Sequence, residues 1–280
     1  MSAEHVDIAA GSLPGREFAS GTVEAGGYTL DYAWAAPEQP EATIVSLPGS
    51  AGMEMSTAKD LLISRYQVLE INPPGWGARD DVDTHMHQSE LGPILTEAVE
   101  QLVDGPFFMI GTSMGGPNAL YVAAELPQRV HGIILEGSMV PSRPEDLHMP
   151  PPTPGDEGAT EVSYPKPAVD PRKPWATPEY VAQQMAVRMR MFRWIEPDLD
   201  GSAAVVAVRA GRVPVLGLLG DDDEVLAPTQ ERRFREEFPG ADFHLVPTGR
   251  HDLQNTVPTV FVDLVSNFID SVLSSPSGLT

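Results

Sequence analysis

Ser113 lies in Gly111-Thr112-Ser113-Met114-Gly115-Gly116, with a glycine two residues before it and another two residues after it. A serine carried on a sharp turn between a strand and a helix sits in a strained backbone, and small flanking residues let the two elements approach closely. Its hydroxyl could attack an acyl carbon once a neighbouring base takes the proton. His251, in Pro247-Thr248-Gly249-Arg250-His251-Asp252, is the expected base, because a neutral imidazole accepts and returns a proton near physiological pH. The imidazole in turn needs a carboxylate on its Nδ1-H. Gly220 to Pro228 offers Asp221, Asp222, Asp223 and Glu224, and Glu136 at the end of Ile133-Ile134-Leu135 is a further candidate. Negative charge developing on the acyl oxygen needs N–H donors. Met114 N–H, directly after the serine, and Ser50 N–H, in Leu47-Pro48-Gly49-Ser50-Ala51-Gly52, are expected to supply them.

Other chemistries fit less well. The chain has no cysteine, which removes disulfides, thiolate catalysis and cysteine-bound metal clusters. No Walker motif is present, so Gly111 to Gly116 does not read as a phosphate loop. His85 and His87 flank Met86 as a possible metal pair with no third ligand nearby, and a polar loop is expected there. His5, His131, His148 and His244 lack the placement of His251 and are expected to be solvated or structural. No motif implies a cofactor or a metal, and the serine mechanism needs none. The formal charge of −22 would repel a phosphate backbone, so the expected partner is a small-molecule substrate and not nucleic acid. The N-terminus lacks the apolar run of a secretory signal and no stretch reaches the length of a membrane span, so a cytoplasmic protein with no membrane partner is expected.

The elements that must position these groups follow from hydrophobic pattern. Phe18 to Glu24 and Tyr28 to Ala36 read as a hairpin, and Thr43–Leu47, Tyr66–Ile71, Phe107–Ile110, Val130–Leu135, Val213–Leu219 and Phe243–Val246 as six further strands. Between them Ser89–Leu102, Met114–Glu125, Thr229–Phe238 and Val257–Val272 carry helical spacing. This alternation predicts an α/β fold, a mostly parallel eight-stranded sheet with helices on both faces. One region breaks it, for eleven prolines lie between Pro141 and Pro178, ahead of a helical Glu179–Trp194. Residues 139–209 are therefore expected to form an inserted lid between core segments 1–138 and 210–280. Arg188, Arg190 and Arg193 on that helix read either as an anion clamp or as a solvated face, with the solvated face preferred.

Taken together these motifs resemble the α/β-hydrolases, in particular lid-bearing esterases and carbon-carbon hydrolases, over nearly the whole chain. Ile71-Asn72-Pro73-Pro74-Gly75-Trp76-Gly77-Ala78-Arg79 is similar to the family's D-x-x-G-x-G-x-S loop. Gly111 to Gly116 is similar to its nucleophile elbow, and Leu126 to Val130 to its P-x-R-V segment. Gly220-x-x-Asp223 followed by Pro228 resembles the acid loop, and the resemblance singles out Asp223 among its neighbours. Two positions depart from the pattern: Pro48-Gly49 replaces the usual His-Gly of the oxyanion loop, and Asn72 replaces an aspartate. A serine nucleophile argues against dehalogenase or epoxide hydrolase chemistry, which uses a carboxylate. The resemblance implies hydrolysis of a carboxylic ester through an acyl-enzyme. Two alternatives stand beside it: carbon-carbon cleavage of a ring-fission diketone, against which Asp252 stands where an aromatic is common, and non-catalytic ligand sensing in the lidded cavity.

Overall fold

The computed structural model describes residues 13–77, 79, 82–138, 170–198 and 200–275. The chain opens with strands β1 (Ala19–Ala25) and β2 (Tyr28–Ala35), joined through Gly26 and Gly27. Both glycines take positive φ, +56° and +83°, the requirement of a two-residue hairpin turn whose twist matches that of the strands. Then follow β3 (Thr43–Leu47), β4 (Gln67–Ile71), β5 (Phe107–Thr112), β6 (Val130–Glu136), β7 (Val215–Gly220) and β8 (Asp242–Val246). They form one eight-stranded sheet in the order β1-β2-β4-β3-β5-β6-β7-β8. β1 pairs antiparallel with β2 and β2 with β4, while the pairs from β4 through β8 are parallel. The expected fold class is thus the observed one.

Helices α1 (Thr57–Leu62), α2 (Leu91–Leu102), α3 (Gly115–Glu125), α4 (Pro178–Met191), α5 (Ser202–Ala210), α6 (Gln230–Glu237), α7 (Leu253–Thr256) and α8 (Pro258–Ser274) are the α-helices among the described residues. The central strands are apolar throughout because both faces are covered, and the period-2 alternation of side chains sorts them into two cores. Phe107 and Met109 join Leu95, Val99, Leu120 and Val205 on the face covered by α2, α3 and α5. Phe108 and Ile110 join Leu62, Phe261, Val265 and Ile269 on the face covered by α1 and α8. The i, i+4, i+8 spacing of Phe261, Val265 and Ile269 is what lays α8 along the sheet.

Of the expected insertion, residues 139–169 lie outside the described residues. Beyond them α4 follows Thr177, whose hydroxyl caps Tyr180 N–H, and Pro178 occupies the first turn. Ile195 and Glu196 then pair in parallel with Met86 and His87. α5 buries Ala204, Val205 and Val208 in the same core as α3.

Candidate active site

The candidate residues all sit on loops leaving the C-terminal ends of parallel strands, the edge where open α/β sheets bind ligands. β5 delivers Ser113, β3 the loop with Ser50, β7 the loop with Asp223 and β8 the loop with His251. Ser113 has φ +51°, a left-handed conformation rare for a residue with a Cβ. It is held there from both sides: Ser113 N–H donates to Glu136 O at 2.9 Å, and Gly116 N–H donates to Ser113 O at 3.1 Å. Gly115 is required by contact, because a Cβ there would collide with the carbonyl oxygens of Leu47 and Pro48.

The three expected side chains form a hydrogen-bonded chain. Ser113 Oγ is 2.9 Å from His251 Nε2, and His251 Nδ1 is 3.0 and 3.1 Å from the two carboxylate oxygens of Asp223. Asp223 Oδ1 also accepts from Val225 N–H at 2.7 Å and Leu226 N–H at 2.8 Å. Burial opposes ionisation of Asp223, but His251 and these hydrogen bonds outweigh it and hold the carboxyl below its usual range. Burial likewise opposes protonation of His251, and the Asp223 carboxylate outweighs it, so the imidazole is raised above its ordinary value. Only 8% of Ser113 is exposed.

The other carboxylates do different work. Asp221 and Asp222 are exposed, and Glu224 Oε2 accepts from His251 N–H at 3.2 Å. Glu136 is fully buried beneath the serine, where it accepts from Thr112 Oγ1 at 2.8 Å, Gln254 N–H at 3.1 Å and Gln254 Nε2 at 2.5 Å. Burial, with a smaller contribution from Asp252, pushes its pKa up to about 7. Glu136 therefore braces the turn, and Asp223 is the carboxylate at the imidazole.

Among the described residues the N–H groups of Ser50 and Met114 donate to no protein acceptor. A Cβ built on Gly49 would stand 3.2 Å from Ser113 Cβ, so the loop that carries Ser50 rests directly on Ser113. Several braces escaped sequence reasoning. Asn72 Oδ1 accepts from Met53 N–H at 2.5 Å, so the residue that departs from the resembled aspartate ties down this loop. Trp76 Nε1 donates to Gly49 O at 2.9 Å. Buried Gln88 donates to Met114 O at 2.5 Å and to Asn118 Oδ1 at 3.1 Å, and accepts from Asp198 N–H at 2.9 Å. Asn72 and Trp76 carried one sequence signal, their place in the loop from Ile71 to Arg79, and Gln88 carried none.

The segment ahead of α4 is strapped to the histidine loop by charge. Arg172 Nη1 donates to Thr248 O at 2.8 Å, and Arg250 bridges Asp170 and Glu224 at 3.0 Å each. Lys173 pairs with Asp252 and lies 3.6 Å from Glu54, which also accepts from Tyr180 OH at 3.1 Å. Arg188 on α4 lowers the proton affinity of His251 through its field, while Arg190 donates to Gly77 O. Arg193 is exposed. The remaining histidines stand apart: His87 accepts from Ser89 N–H as a cap, His131 packs edge-on against Phe108, and His85 and His244 are exposed. His5 and His148 lie outside the described residues. Among the described residues no helix is long and apolar enough to cross a membrane.

Comparison with known proteins agrees with this fold. The family model described as serine aminopeptidase, S33, matches residues 38–256. A 2-hydroxy-6-oxononadienedioate/2-hydroxy-6-oxononatrienedioate hydrolase of Cupriavidus pinatubonensis is 33% identical over 111 residues, 39% of this chain and 38% of that protein. The hydrolase of the same name from Escherichia coli K12 is 33% identical over 122 residues, 41% of this chain and 42% of the relative. The matched stretch thus spans about two fifths of either relative. In fold the chain is similar to a meta-cleavage product hydrolase from Pseudomonas fluorescens IP01, with TM-score 0.68 and 16% identity over 91% of this chain and 98% of that one. It is also similar to carboxylesterase CesB of Bacillus subtilis, with TM-score 0.66 and 14% identity over 91% and 92%.

Proposed function

The chain belongs to the serine aminopeptidase S33 family of α/β-hydrolases, and from that premise we propose that it hydrolyses a small carboxylic ester through an acyl-enzyme formed on Ser113. The observation that carries this reading is the unbroken hydrogen-bonded line from Ser113 Oγ through His251 to Asp223. In it, His251 Nε2 takes the serine proton as Oγ attacks the acyl carbon, and Asp223 stabilises the imidazolium that forms. The Ser50 and Met114 N–H groups receive the oxyanion. His251 then gives the proton to the leaving alcohol, and activates a water that attacks the acyl carbon and returns the serine. No step needs a cofactor.

The second reading is hydrolysis of a carbon-carbon bond in a diketone. It is favoured by Arg188, a cation close enough to affect His251 and suited to a substrate carboxylate, and by the printed names of the curated relatives. The products separate the readings: an acid plus an alcohol for an ester, two carbon fragments without an alcohol for the diketone.

The test is labelling with a fluorophosphonate probe, mapping of the adduct by mass, and turnover of p-nitrophenyl esters of increasing chain length. An adduct on Ser113 with ester turnover supports the proposal. Absence of both turns attention to a ligand-sensing role, and an adduct without ester turnover turns it to the diketone.

A further inference from the structure

The oxyanion loop is closed by one carbonyl. Gly49 O accepts from Gly52 N–H at 3.1 Å, which closes a turn over Ser50 and Ala51, and it accepts from Trp76 Nε1 at 2.9 Å. Gly49 C=O and Ser50 N–H belong to the same peptide group, and a trans peptide is planar with its C=O and N–H pointing in opposite directions. Whatever fixes the oxygen therefore fixes the hydrogen. Both donors hold the oxygen on the side of Trp76, leaving Ser50 N–H turned the other way with no protein acceptor among the described residues.

Trp76 is well suited to hold that plane still. It is fully buried, and its ring meets Trp194 edge to face with centroids 5.7 Å apart. The glycine before it has φ +72°, and a Cβ there would stand 2.7 Å from Trp194 Cζ2, so the loop carrying Trp76 is wedged against that ring. The two indoles are not equivalent. Trp76 Nε1 spends its hydrogen on Gly49 O, whereas Trp194 Nε1 is buried and donates to nothing among the described residues.

We propose that Trp76 is a positioning residue for the oxyanion hole, its indole N–H setting the Gly49–Ser50 peptide so that Ser50 N–H meets the negative charge of the tetrahedral intermediate. The inference rests on the serine hydrolase reading above. Without the indole hydrogen bond Gly52 alone holds the carbonyl, and the peptide can rotate away. Such a donor matters in the transition state more than in the bound substrate, so its misorientation lowers kcat and leaves KM nearly unchanged.

The experiment compares wild type, Trp76→Phe and Trp194→Phe by ester turnover, by inhibition with a trifluoromethyl ketone that forms a tetrahedral oxyanion adduct, and by thermal unfolding. Trp76→Phe is expected to lower kcat about tenfold, below the ~10²- to 10³-fold cost of removing an oxyanion donor outright, with KM held within about twofold. Affinity for the ketone should fall by a similar factor, while Trp194→Phe, which deletes no hydrogen bond, should lose clearly less in kcat and in ketone affinity than Trp76→Phe. If Trp76→Phe does not fold, replacing Trp76 by benzothienylalanine, of the same shape without the N–H, runs the same comparison. Unchanged kcat and ketone affinity in a folded Trp76 variant overturn the proposal, as do equal losses in Trp76→Phe and Trp194→Phe, which would mark a packing effect. A wild type that neither labels at Ser113 nor turns over esters overturns the underlying reaction instead, and the two failures are thereby distinct.

Discussion

Asp223 grips His251 with an oxygen that is itself pinned: Oδ1, 3.1 Å from the imidazole Nδ1, accepts at the same time from the N–H groups of Val225 and Leu226. Asp223→Asn must therefore place its amide oxygen at the Oδ1 position and its NH₂ at Oδ2, facing Nδ1. A donor there forces the tautomer that carries hydrogen on Nε2, which cannot accept from Ser113. We expect kcat to fall by roughly 10²- to 10⁴-fold with the fold intact, as steady-state kinetics and circular dichroism would show.

Ser113→Ala is expected to lower kcat by about 10³-fold or more and to abolish the fluorophosphonate adduct. Its melting temperature should stay close to that of wild type, since the strained φ is imposed by the turn's backbone bonds and not by the hydroxyl. Near-normal turnover by this variant would refute both hydrolase readings.

The pH profile follows from the imidazole. His251 must be neutral to act as base, and its proton affinity is raised by Asp223 against the opposing effect of burial. Activity should therefore rise with pH through an acid limb lying above the free imidazole value of about 6.5. Arg188→Met removes a field that lowers this affinity and should move the limb to higher pH, while Asp223→Asn should move it lower. A kcat/KM profile for the three proteins checks both signs.

Glu136 makes a separate prediction about stability. Its pKa is raised from 4.5 to about 7, so the folded state keeps a proton that the unfolded chain releases. The associated stabilisation is complete below about pH 4.5 and is lost as pH rises through about 7. Glu136→Gln should be less stable, because three donors converge on the carboxyl and an amide offers one oxygen. Its deficit relative to wild type should narrow between these two pH values, as thermal melts of both proteins would reveal.

Lys173→Met removes the cation that Asp252 and Glu54 share. Both carboxylates then lose that cation, and a loss of about 1–3 kcal/mol in urea unfolding is expected. No such loss is expected from Arg232→Met, whose partner Glu236 is half exposed at 3.9 Å, where ion pairs contribute about 0–1 kcal/mol.

Features set by local pattern were open to reading in the chain alone. The β-branched runs sit in strands because they are covered on both faces, and the glycines around Ser113 show in the motif even though the contacts that require Gly115 and Gly116 come from Leu47, Pro48 and Ser138, far along the chain. The loop order after β5, β7 and β8 follows from the same pattern, so Ser113, His251 and an acid from Asp221 to Glu224 could be nominated together, and the resemblance to the α/β-hydrolases singled out Asp223. The small pieces were missed: α1, α7 and the pairing of Met86–His87 with Ile195–Glu196 are too short to show a period, and they form because neighbours complete them.

Composition and spacing by themselves determined the α/β architecture and which residue types reach the C-terminal edge of its sheet, because periodicity reports which faces are buried. Only the tertiary structure decided how Asp223 meets the imidazole, with its Oδ1 pinned by two backbone N–H groups, that Glu136 braces the serine turn from below, and that Trp76, Asn72 and Gln88 hold the Gly49–Met53 loop and the turn after Ser113. These roles depend on side-chain direction across strands far apart in sequence, where shifts of an ångström separate a hydrogen bond from a near miss, and no local pattern encodes such distances.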